Sequence, residues 1–141
     1  MKKVTITLMA IGLFVLAGCG TPGPRLASSA EDIAGMWLRT ARGAPLYILF
    51  LEDGTMHESS NPELVEDRPW IKAEFWFEGT QLFIEESLGP CDENPTGIYE
   101  IHLLANGNLK FVVIEDECLL RATGYHGRGD TEGLVEFEPV P

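Results

Sequence analysis

The chain has 141 residues, with 10 Lys and Arg against 22 Asp and Glu and a net charge of −12. That length holds one domain with a real core and not two. The acidic balance argues against a nucleic-acid surface, which needs clustered basic residues, and against electrostatic docking on anionic lipid.

Lys2 and Lys3 open the chain, and Val4–Ala17 follows without a charge. The run is shorter than the ~20 apolar residues that span a bilayer, so it reads as an export leader with a positive start and an apolar centre. It ends in Leu16-Ala17-Gly18-Cys19, which resembles the lipobox of bacterial lipoproteins. The resemblance implies cleavage before Cys19 and a diacylglyceryl group on its sulfur. Each buried methylene holds by about 0.8 kcal/mol, so two or three acyl chains anchor firmly. Residue 20 is Gly rather than the Asp that retains lipoproteins at the inner membrane. The expected location is the bacterial envelope, outside the cytoplasmic membrane, and on the outer membrane in a host with two. The expected organisation is a leader over 1–18, a lipidated tether over 19–27 and one domain over 28–141. Lys2 and Lys3 leave with the leader, which takes the charge from −12 to −14.

Gly20–Ala27 alternates Gly and Pro and is expected to stay unpacked. Ser28 and Glu31 have the spacing of a capping box, which predicts a short helical turn stopped by Gly35. From there the apolar period is two. Strands are expected over Met36–Thr40, Leu46–Leu51, Thr55–Glu58, Trp70–Phe77, Gln81–Glu86, Gly97–Leu104, Leu109–Glu115 and Cys118–Thr123, with Leu134–Glu138 as a last strand or an extended tail. Asp53-Gly54 and Asn106-Gly107 mark hairpins. Ile71, Ala73, Phe75 and Phe77 share one face of their strand, and Trp70, Lys72, Glu74 and Trp76 share the other, expected to face outward. Asn61–Pro69 and Ser87–Thr96 are long acidic loops. The fold class is all-β: a single small antiparallel up-and-down barrel of eight or nine strands with a short N-terminal helical turn, and a sandwich as second choice.

Gly35-Met36-Trp37, on the first strand just after the helical turn, resembles the Gly-x-Trp of lipocalins and other calycins. Arg121 stands late in the chain, where that family carries an arginine packed across the tryptophan. The resemblance implies a barrel-closing pair of Trp37 and Arg121. It covers the domain loosely, and the Thr-Asp-Tyr signature of the family is missing. With Cys19 assigned to lipid, Cys91 and Cys118 are an even pair in an exported domain and are expected to form a disulfide.

No catalytic motif is found. His57, His102 and His126 lack metal spacing, and no cofactor is expected. The acid pairs Glu85-Glu86 and Asp92-Glu93 and the run Glu115–Glu117 could gather calcium only through loop geometry. Arg128-Gly129-Asp130 reads as a chance tripeptide. What remains is aromatic content. Phe50, Phe75, Phe77, Tyr99 and Phe111 are candidates to line a barrel interior. The leading expectation is a lipid-anchored, monomeric, non-enzymatic binding protein for a small apolar ligand. The alternative is a protein-binding module, such as an inhibitor of a basic hydrolase. A continuous interior cavity favours the first, and a filled core with Trp70 and Trp76 exposed favours the second.

Overall fold

The two-residue period from Gly35 onward builds the wall of a barrel, because every second side chain of each strand turns to one common axis. The computed structural model describes residues 23–40, 43–93, 96–127 and 132–141. The leader, Cys19 and the Arg128–Asp130 tripeptide lie outside these. The elements are β1 (Arg25–Leu26), α1 (Ala30–Ile33), β2 (Gly35–Arg39), β3 (Tyr47–Phe50), β4 (Thr55–Ser59), β5 (Ile71–Glu78), β6 (Gln81–Leu88), β7 (Thr96–Leu103), β8 (Leu109–Glu115), α2 (Leu119–His126) and β9 (Phe137–Pro139).

Strands β2 to β8 pair antiparallel in sequence, and β9 inserts between β2 and β8. The result is a closed eight-stranded antiparallel barrel. Closure at the last seam is narrow, with Leu109 opposite Phe137 as the β8–β9 register pair. Both predicted hairpins form, with Gly54 and Gly107 each at φ +88°, a conformation that glycine adopts without a Cβ penalty.

Three expectations are corrected. First, residues of the expected tether pack: Arg25 and Leu26 pair with Leu103 and His102, and Ala27 is fully buried. β7 offers them a backbone edge, since the β6 pairing stops at Glu100. Second, the helix start is not a capping box. Ser29 is the N-cap without a side-chain bond, while Asp32 accepts the Ser28 backbone N–H at 2.8 Å and pairs with Arg25 at 2.7 Å. The Arg25 contact and then the Ser28 N–H lower the Asp32 pKa to about 2. Third, Cys118–Thr123 is no strand but the start of α2. Arg121 and Tyr125, four apart, fall on one helix face and are both buried, while Leu119 and Leu120 are exposed.

The axis is filled by aromatic rings. Phe111 stacks on Tyr125 at 4.6 Å and on Phe50 at 6.4 Å, and meets Tyr99 and Phe137 edge-on at 5.7 and 5.3 Å. Phe50 in turn meets Phe75 edge-on at 5.1 Å. The faces of β5 are as expected, with Ala73 and Phe75 buried and Trp76 37% exposed; Trp70, expected on the outward face, stands before β5, 51% exposed, and its indole N–H donates to Ser59 Oγ at 2.9 Å.

Candidate functional site

The two ends of the barrel differ. At one end α1 leads into β2, and the Trp37 indole N–H donates to the Ile33 carbonyl at 2.8 Å. Trp37 lines a cavity of about 370 Å³ there with Gly23, Arg25, Asp32 and the Leu103–Gly107 hairpin. At the other end α2 lies over the rim and leaves a cavity of about 310 Å³. Arg121 lines this second cavity. The expected barrel-closing pair is therefore corrected: Trp37 and Arg121 serve opposite ends, because Arg121 is carried by a helix rather than by the strand beside β2.

The α2 end has a charged inner layer. Arg39, Glu58 and Glu86 follow Trp37, Met56 and Ile84 by two residues on β2, β4 and β6, so they share the inward face. Arg121 and Tyr125 reach this layer from above. The Arg121 guanidinium donates to both Asp116 carboxylate oxygens at 2.8 Å and lies 3.5 Å from Glu86 Oε1. Asp116 also accepts the Tyr99 hydroxyl and the Cys118 backbone N–H. Gly97 makes room for it: a Cβ there would stand 2.6 Å from Asp116 Oδ2. The Tyr125 hydroxyl bonds to Glu58. The Cys91 N–H donates to Glu86 Oε2 at 3.1 Å.

Burial sets the protonation of this layer. Glu58 is 3% exposed, and burial raises its carboxyl to about 7, against the Tyr125 hydrogen bond. Burial also raises Glu86, opposed by the Cys91 N–H and by Arg121. Burial works against the Arg121 charge, but the bonds to Asp116 outweigh it and hold its pKa above the ordinary value. A carboxyl raised on folding binds its proton more tightly in the folded state, so stability falls as pH rises from the ordinary 4.5 through about 7. We expect this loss to reach on the order of 3 kcal/mol. Glu58→Gln should flatten it, matching the wild type near pH 4.5 and exceeding it above pH 7 in urea unfolding. A variant that follows the wild type at both pH values would show that Glu58 is not the titrating group.

Cys91 and Cys118 form the expected disulfide, with Cα atoms 5.8 Å apart. It ties the N-cap of α2 to the loop after β6, next to the cavity wall. The chain-entropy account puts its contribution at roughly 3.5 kcal/mol.

The cavity walls are otherwise apolar: Ala44, Pro45, Leu46, Ile71 and Pro90, with Trp70 and Leu120 at the rim. Leu120 is 68% exposed and Trp70 51%. The five expected lining residues are placed differently. Phe50, Phe75, Tyr99 and Phe111 are buried in the packed axis, Phe77 packs partly buried against it, and none of them lines either end cavity. Rings large enough to line a small barrel are large enough to fill it. Among the described residues, no three His, Cys, Asp or Glu side chains are grouped to hold a metal ion, and no helix is long and apolar enough to cross a membrane.

Fold and site together define the class: a closed eight-stranded antiparallel barrel with a helix over one end and an apolar-walled mouth beside a buried charged layer. Compared with family models, curated proteins and solved structures, the chain has no match.

Proposed function

We propose that this protein is a lipid-anchored binding protein of the bacterial envelope that takes a small apolar ligand at the α2 end of its barrel. The observation that carries this reading is the mouth itself. A cavity of about 310 Å³ walled by apolar side chains opens between Trp70 and Leu120, which stay half to two-thirds exposed. Exposed apolar residues around an apolar hollow mark a binding site more often than a bare surface. The filled axis with Trp70 and Trp76 exposed is the outcome expected of a protein-binding module and leaves no interior ligand site among the described residues, so the small-ligand reading rests on this rim alone. The lipobox-like segment supports the anchor. The described chain begins at the α1 end, so a tethered barrel carries the mouth on the side away from the point where the tether joins.

The test is a titration of the chain from Gly20 onward with N-phenyl-1-naphthylamine, an uncharged apolar fluorophore. One probe should bind per chain. Ala44→Trp, a substitution at an exposed position on the wall, should weaken binding about tenfold, the equivalent of ~1.4 kcal/mol. Unchanged binding would remove the mouth as the site. A second reading, a contact surface for a basic protein, has its own observation. Trp76 is exposed and stacks on Phe83 at 5.4 Å on the outer wall, beside the exposed Glu74 and Glu85. Failure of the titration would turn attention to that face.

A further inference from the structure

We propose that the ligand of this mouth is a single-chain amphiphile with a carboxylate head, and that Arg39 receives the head. The inference rests on the mouth being a binding site for an apolar group and adds the chemistry of the other end of the ligand.

Arg39 is the last inward-facing residue of β2 and stands on the cavity wall. Its Nη2 donates to the Ala44 carbonyl at 2.8 Å and its Nη1 to the Gly124 carbonyl at 3.4 Å. Its Nε is buried and has no acceptor. Among the described residues Arg39 forms no ion pair with any carboxylate, in a chain where acids outnumber basic residues 22 to 10. Arg121, on the same cavity, is gripped by Asp116 and flanked by Glu86. A partly desolvated guanidinium whose hydrogen bonds go to carbonyls, with one buried N–H unmet, presents donors that an anion can take, and a carboxylate fits their plane.

The rest of the cavity agrees with one head and one chain. Glu58, also on the wall, accepts the Tyr125 hydroxyl, and burial raises its carboxyl to about 7, which favours the neutral form on the acid side of that value. Its charge forms as the pH rises through that value, so a carboxylate ligand meets the least competition for Arg39 on the acid side. Glu86 is engaged by the Cys91 N–H and faces Arg121. The apolar walls and rim supply the tail site. About 310 Å³ is at the small end of ligand pockets, roughly 300–1,000 Å³, which suits one chain rather than the two of a phospholipid.

The experiment uses the intact protein in its own envelope membranes and three photoreactive probes with the same diazirine-bearing dodecyl tail. Their heads are a carboxylate, a hydroxyl and an amine. Labelling is mapped to the segments carrying Pro45, Ile71 and Leu120. The carboxylate should label these segments about tenfold more than the alcohol, as charge-assisted bonding predicts. Arg39→Gln should reduce the carboxylate to the level of the alcohol, and Arg39→Lys, which keeps the charge without the planar fork, should keep part of the preference. Equal labelling by acid and alcohol, or a preference for the amine, would overturn the carboxylate head and leave the apolar mouth standing. A carboxylate preference that survives Arg39→Gln would overturn the role of Arg39. Labelling of these segments by none of the probes would overturn the mouth as a site altogether. The three-probe comparison on the wild type decides the head group even if Arg39→Gln fails to fold.

Discussion

Phe111→Ala should destabilise the barrel by about 4 kcal/mol, near the upper range for truncating a buried aromatic ring. Phe111 has no exposed surface and touches four rings, Phe50, Tyr99, Tyr125 and Phe137, so its loss leaves a void that no neighbour can fill without breaking another ring contact. Domains of this size have about 5–15 kcal/mol in total, so the variant would sit near the limit of folding. The urea midpoint should fall by roughly 2 M at an ordinary m-value. A loss below about 1 kcal/mol would mean that the axis tolerates a hole at its centre. The interior would then regain its standing as a ligand site.

Arg121→Met should cost a comparable amount, about 3–5 kcal/mol, for a different reason. The side chain is 1% exposed and its guanidinium meets Asp116 and Glu86, themselves out of water. Removing the cation leaves buried carboxylates without their counter-ion, which costs more than the pair gains when intact. Combining Arg121→Met with Glu86→Gln and Asp116→Asn should recover more than half of the loss in thermal or urea unfolding, since no charge is then stranded. If the triple variant is as unstable as the single one, the loss comes from packing under α2 rather than from charge. The single variant should also loosen α2, because Arg121 and Tyr125 are its two buried residues. Faster amide exchange over Leu119–His126 would report that loosening.

The charged layer was written in the strands, in a form that composition alone does not reveal. Met56-x-Glu58, Ile84-x-Glu86 and Trp37-x-Arg39 each place a charge in phase with buried positions. A charge in phase with the core at the end of a strand is the signal of a polar layer at a barrel mouth. That phase was open to reading at Glu58 and Glu86, but neither shows by itself that Tyr125 or Arg121 will arrive from a distant helix. The aromatic candidates were right as inward residues and wrong as lining. Period two tells which way a side chain points, not whether the space it enters is empty.

The sequence by itself determined the all-β class, the strand phases, the Asp-Gly and Asn-Gly hairpins and the Cys91–Cys118 pairing. These follow from local rules: alternation, glycine at positive φ and an even number of cysteines once one is set aside. Only the tertiary structure decided what non-local contacts settle. Leu-Leu-Arg at 119–121 became a helix because Arg121 and Tyr125 find buried carboxylates on one face, which outweighs the strand pattern of adjacent leucines. Arg25 and Leu26 became a strand because β7 had a free edge. Phe137–Pro139 closed the barrel because β2 and β8 left a gap of one strand. The mouth exists because a helix crosses a rim that the strands alone would leave open.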